Sequence, residues 1–231
     1  DKPLGRTSHD MVYVMRKMTG IKKVGHTGTL DPEATGVLPV CIGSATKVAD
    51  MLTLSDKCYR AELVLGMTTD TQDADGEVLT ECEVTCSEDE IRQVIMSFVG
   101  EIEQIPPMYS AIKQNGKKLY ELARKGIEVE RKSRKVTINS IDILEINGER
   151  VTIDVSCSKG TYIRTLCEDI GMKLHVGAYM NTLRRTKTGP FTIEESHTLK
   201  EIETLKNNGE LEKIIIPVDR MFEGYPKIKL N

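Results

Sequence analysis

Residues 57–67 alternate in polarity. Tyr59, Ala61, Leu63, Leu65 and Met67 share one face, with Cys58, Arg60 and Glu62 on the other, which predicts a strand covered on one side. The same period returns in Val151, Ile153, Val155 and Cys157, and Asn147-Gly148 ahead of them predicts a tight hairpin between strands over 134–146 and 150–157. Elsewhere the spacing widens to three or four. Val12, Met15 and Met18 mark a helix starting at Ser8, read as its cap, and stopping at Gly20; Ile91, Val94, Ile95 and Phe98 mark another behind the capping box of Ser87 and Glu90. Ile163, Leu166, Ile170 and Leu174 mark a third, and Thr198 with Glu201 boxes the start of a fourth. Shorter strands are predicted over 38–42, 77–84, 178–187 and 214–216, and shorter helices after Ser44 (Val48, Ala49, Leu52) and over 119–125. Hairpin-joined strands interspersed with helices predict an α+β fold, a largely antiparallel mixed sheet flanked by helices and loops.

The length, 231 residues, suffices for a full core, read as one domain over 1–222 with an insertion at about 104–135 and a short tail at 223–231. Mean hydropathy is −0.29, 29% of residues are charged, and no apolar run approaches the roughly 18 residues of a membrane span. With no basic and apolar leader at the start, the expectation is a cytoplasmic protein without membrane contact. Six cysteines (41, 58, 82, 86, 157, 167) and four histidines (9, 26, 175, 197) show no zinc spacing, so no metal is expected. The net charge of −3 conceals a polarity. Residues 70–103 hold eleven acids against Arg92 alone, whereas 113–135 hold nine bases against Glu121, Glu128 and Glu130. One face for a polyanion and one turned away from it would read this way, as would two solvated faces.

The densest chemistry lies in Val24-Gly25-His26-Thr27-Gly28-Thr29-Leu30-Asp31-Pro32-Glu33-Ala34-Thr35-Gly36-Val37. Pro32 disfavours the helical region for Asp31, and Gly25, Gly28 and Gly36 permit positive φ or close approach of another backbone. The pattern alone is equally ordinary turn chemistry. Tyr59 points inward at the start of its strand, as a core residue or a pocket wall. Arg164 begins a helix beside Ile163 and Leu166, an expensive place for a cation unless an acid meets it. Asp73-Ala74-Asp75-Gly76 suggests a calcium loop, but the register puts Thr71 and Cys82 where carboxylates are needed, so the match fails. Prolines 106 and 107, an exposed Tyr109 and the bases beyond suit an arm over phosphates. A plain surface insertion fits them too.

Taken together, Gly25 to Pro39, Lys57-Cys58-Tyr59-Arg60, Asp70 to Gly76, Pro106-Pro107-Met108-Tyr109-Ser110-Ala111 and Ser158-Lys159-Gly160-Thr161-Tyr162-Ile163-Arg164-Thr165-Leu166 closely resemble the bacterial TruB family of tRNA pseudouridine-55 synthases, from Lys2 to about Phe222. The resemblance implies the pseudouridine synthase catalytic core, a T-loop uridine of tRNA as substrate, and no cofactor. It implies Asp31 as catalytic carboxylate, Arg164 as its partner and Tyr59 stacked on the target base. Tyr162 and Leu183 would complete the pocket, His26 would manage the stack that the flipped base leaves, and Asp73 would lie near the site. Lys113, Lys117, Lys118, Arg131, Lys132, Arg184 and Arg185 are expected to meet RNA phosphates, and the protein is expected to act as a monomer. Family members usually begin with a short strand before Lys-Pro-x-Gly and end in a PUA-type RNA-binding domain; the start at Asp1 suggests trimming, and the nine residues after Phe222 are too few for a domain. The competing expectation is a non-catalytic tRNA-binding or RNA-folding module on the same surface.

Overall fold

The structure, a computed structural model, describes residues 1–222; the expected tail at 223–231 lies outside the described residues. In chain order the elements are α1 (Ser8–Thr19), β1 (Val24–His26), β2 (Ala34–Gly36), β3 (Val40–Ile42), a 3-10 turn over Gly43–Val48, and α2 (Ala49–Thr53). There follow β4 (Lys57–Leu65), β5 (Met67–Thr69), β6 (Val78–Glu81), α3 (Glu88–Met96), β7 (Gly100–Gln104), β8 (Lys113–Gln114), β9 (Lys117–Lys118) and α4 (Leu119–Ala123). The chain continues through β10 (Arg134–Asn147), β11 (Arg150–Cys157), α5 (Ile163–Lys173), β12 (Ala178–Thr188), β13 (Phe191–Thr192) and α6 (Leu199–Asn207). This is an α+β architecture. Its described residues form two compact units, one of residues 1–57 and 184–222 and one of residues 58–183.

In the first unit, α1 buries Met11, Val12 and Met15, and Val12 and Met15 join Val24 in a cluster flanked by Met18, Val40, Ile42 and Ile202. The spacing read from the sequence therefore marks the true inner face. The cap differs by one position: Thr7 accepts from the Asp10 amide and Asp10 returns the bond, so Thr7 closes the helix. Ser8 is buried because its hydroxyl serves another segment. Gly20 stops α1 in the left-handed region at φ 73°, where a Cβ would be strained. Ser44 caps nothing; its segment is the 3-10 turn, without a side-chain cap. β1 pairs antiparallel with β3, and β13 pairs with the end of β12, Lys187 opposite Thr192. The apolar run at 214–216 is not a strand but the end of a 3-10 turn over Leu211–Ile214, with Ile215 and Ile216 exposed.

In the second unit the strand order is β12-β4-β11-β10-β7. The two-residue period survives intact: Tyr59, Ala61, Leu63 and Leu65 of β4 and Val151, Ile153, Val155 and Cys157 of β11 are all buried. Asn147 and Arg150 close the predicted hairpin, with Gly148 at φ 59°. Opposite charges on the outer faces also pair, Arg60 with Asp154 at 2.7 Å and Arg150 with Glu62 at 2.6 Å. The strand expected over 77–84 shrinks to the fully exposed β6, which pairs only with β5. Among the described residues no helix is long and apolar enough to cross a membrane.

Candidate active site

Asp31 sits on the exposed crest of a loop whose limbs are buried: Thr27, Leu30, Ala34 and Val37 are each at most 3% exposed. Such a loop must satisfy its main-chain polar groups internally. Ser8 clamps Leu30 immediately before Asp31, its Oγ accepting from Leu30 N at 2.8 Å and donating to Leu30 O at 2.9 Å. On the other side the Pro32 carbonyl accepts from Gly5 N at 2.9 Å and from Lys2 Nζ at 3.1 Å. Lys2 is 1% exposed and its main chain exchanges two hydrogen bonds with Gly36. Burial pulls its pKa down to about 8, against the opposing pull of Glu33 and Asp31.

Arg185, at the end of β12, completes the setting. Its Nε donates to Val37 O at 2.8 Å, one terminal nitrogen to Gly28 O at 3.0 Å and the other to Thr29 O at 3.5 Å. Its carbonyl accepts from Val37 N at 2.8 Å, and a Cβ on Gly36 would stand 2.2 Å from that carbonyl oxygen. Gly28 (φ 73°) and Gly36 (φ 106°) therefore use the freedom that their positions imply, whereas Gly25 is an ordinary strand residue opposite Cys41. His26 is half-buried, and among the described residues its Nδ1 has no hydrogen-bond partner. Burial first, then Arg185 and His9, hold its pKa below the ordinary histidine value, which favours the neutral ring. A neutral ring suits stacking better than phosphate binding.

The second unit gathers a different set. Arg164, 6% exposed, reaches Asp73 Oδ2 at 3.3 Å and donates to the carbonyls of Thr71 (3.2 Å) and Tyr109 (2.8 Å). The acid that its burial required is thus present within the unit. Asp73 in turn accepts from Thr71 Oγ1 at 2.5 Å and from Asp75 N at 3.3 Å, and its segment bridges to Met180 in β12. Buried Gln104 holds Tyr162 by both main-chain groups, accepting from its N at 3.0 Å and donating to its O at 3.2 Å. That clamp fixes the entry to α5, where Arg164 sits. Tyr59 is 9% exposed in β4 and Leu183 is half-buried in β12. Tyr109 is half-buried, not exposed as expected, because Pro106 and Pro107 pack inward.

The expected phosphate-binding residues separate by burial. Lys113, Lys117 and Lys132 are exposed, the first two on a β8–β9 hairpin whose turn is Asn115 (φ 52°) and Gly116 (φ 81°). Lys118 lies over the Tyr120 ring, 5.3 Å from its centroid. Arg131 bonds Pro106 O at 3.2 Å and Glu128 at 3.1 Å, and Arg184 pairs with Asp1 at 2.8 Å. Arg185 is the clear correction: at 1% exposure, with its donors on carbonyls, it is not offered to a phosphate. Sequence reasoning missed Lys2, Ser8, Gln104 and Arg185 as organisers. It also missed the small hairpin, which Asn115-Gly116 signals in the same way as Asn147-Gly148. Among the described residues no three His, Cys, Asp or Glu side chains cluster closely enough to hold a metal ion.

Comparison with known proteins bears on the same loops. Residues 16–163 match the N-terminal domain of the TruB family pseudouridylate synthases, and residues 164–223 match the C-terminal domain of tRNA pseudouridylate synthase B. The tRNA pseudouridine synthase B of Alkaliphilus oremlandii is 57% identical over 218 residues, covering 94% of this chain and 72% of that protein. The enzyme of the same name from Clostridium perfringens is 53% identical over 232 residues, covering 100% of this chain and 78% of that protein. Among solved structures, a chain from the crystal structure of a Cbf5-Nop10-Gar1 complex superposes with a TM-score of 0.77 at 36% identity. The superposition covers 96% of this chain and 60% of that one. With both family domains matched in succession and relatives more than half identical across nearly all of its length, the chain belongs to the TruB family of pseudouridylate synthases.

Proposed function

We propose that this chain, acting in the cytoplasm as a monomer, isomerises a T-loop uridine of tRNA to pseudouridine, with Asp31 as the reacting carboxylate. The observation that carries the reading is the crest position of Asp31: an exposed acid on a loop whose main chain is tied on both sides by buried donors. Catalysis gains most from a group already held where the reacting atom arrives. The reaction breaks the N1–C1' glycosidic bond, turns the uracil and joins C5 to C1'. The proton leaving C5 is balanced by one gained at N1, so neither redox change nor net hydrolysis occurs. A carboxylate serves as nucleophile at C1' or C6, or as base for a glycal route.

In this reading Arg164 partners the Asp31 carboxylate, Tyr59 stacks on the uracil and assists proton transfer, and Tyr162 and Leu183 complete its pocket. Asp73 and Gln104 position Arg164 and Tyr162. Neutral His26 stacks where the extruded nucleotide was, and extrusion costs a few kcal/mol, on the order expected for unstacking one base. Exposed lysines at 113, 117 and 132 supply phosphate contacts that offset it. Family membership favours catalysis over a purely RNA-binding role. The test is incubation of an unmodified T-stem-loop with wild type and Asp31→Asn, followed by chemical detection of pseudouridine. The variant should bind the RNA and form none; conversion at the wild-type level would refute the assignment.

A further inference from the structure

We infer that Arg185 is a positioning residue for the reaction, a staple that sets the Asp31 loop in its productive shape; this rests on Asp31 being the reacting carboxylate. The loop runs from Gly28 to Val37 with its crest at Asp31, and one guanidinium holds both limbs. Gly28 O and Thr29 O are bound on the outgoing limb and Val37 O on the returning limb. The arginine main chain repeats the grip, accepting from Val37 N and lying so close to Gly36 that no side chain fits there. A strand pairing alone would fix the returning limb. The side chain adds a direct tie from it to the limb that leads into Asp31.

The chemistry of the donor matters. A planar fork with five N–H groups reaches three carbonyls in divergent directions, which a single ammonium on a flexible stem cannot. The bonds are charge-assisted, and they compensate for taking a cation out of water at 1% exposure. The same charge opposes protonation of His26. One buried residue thereby acts on two parts of the loop, its shape at Asp31 and the neutrality of the ring five positions earlier.

The test uses Arg185→Lys and Arg185→Gln in the full chain, with Asp31→Asn alongside. Single-turnover pseudouridine formation, RNA affinity, amide hydrogen exchange over 28–37 and the His26 titration are measured on folded protein. Arg185→Lys should fold, bind the T-stem-loop within about threefold of wild type and turn over roughly 100-fold more slowly, the loss typical of a misplaced reacting group. Exchange within the loop should accelerate, and His26 should titrate at higher pH in Arg185→Gln. A folded Arg185→Lys with a rate within about threefold of wild type overturns the inference, because the fork would then not matter. So does failure of both variants to fold, which would make Arg185 a requirement of the fold rather than of the loop. If Asp31→Asn itself remains active, the catalytic reading fails first; with Asp31→Asn inactive and Arg185→Lys normal, the staple alone is rejected.

Discussion

Around Asp31 the cations face inward: Lys2 and Arg185 are each 1% exposed and donate to main-chain carbonyls on either side of the acid. Along the 113–135 arm they face outward, with Lys113, Lys117 and Lys132 exposed on and beyond a two-residue hairpin. The same residue types thus stand in opposite settings. A buried cation spends its donors on a few fixed carbonyl dipoles and gives the backbone one shape; an exposed one keeps its donors for a polyanion and gains affinity from released counterions. Composition counts both alike, and burial separates them.

The sharpest way to break this contrast is Gly36→Ala. At φ 106°, with the new Cβ 2.2 Å from the Arg185 carbonyl oxygen, the variant should lose on the order of 3 kcal/mol of stability, read from denaturant or thermal unfolding. Wild-type stability would mean that the loop is not gripped as described. In the arm the reverse is expected. Reversing charge at Lys113 and Lys117 should leave stability within roughly 0.5 kcal/mol, weaken tRNA binding about tenfold or more at low salt, and flatten the dependence of log K on log salt by about two. An unchanged salt slope would remove the arm from the RNA interface.

A pH dependence concerns Lys2. Its folded pKa of about 8 lies below the ordinary 10.5, so between those values the unfolded chain binds more protons. The contribution of Lys2 to stability therefore rises as pH increases from about 8 to 10.5 and is least favourable below about 8. Unfolding measured across that range should show this slope in wild type and lose it in Lys2→Met. An identical profile in the variant would place the lysine in water.

What the sequence disclosed follows the same division. The strand periods, the Ser87–Glu90 and Thr198–Glu201 boxes, the Gly20 stop and the Asn147-Gly148 hairpin were legible because each is decided within a few residues. The α1 cap slipped by one position because Thr7 and Ser8 have equal chemistry, and a contact 22 residues away claims Ser8. Arg185 was unreadable for a stronger form of the same reason. Next to Arg184 and Lys187 it resembles part of a basic patch, and only the arrival of the distant glycine loop at the end of β12 turns it inward. Asp31, His26 and Arg164 were legible as chemistry, and the need of Arg164 for an acid was too; that Asp73 meets it within its own unit was not.

The bond from Arg185 to Val37 spans 148 positions and that to Gly28 spans 157. A growing chain therefore exposes the complete Asp31 loop long before it contains the residue that closes it. Since chains emerge N-terminus first, the early product carries Asp31 on a loop tied by Lys2, Gly5 and Ser8 alone, and the ties from Arg185 wait for the far end of β12. Assembly order thus separates the two: a fragment released before residue 185 is made holds Asp31 without the side chain that ties Val37 to Gly28.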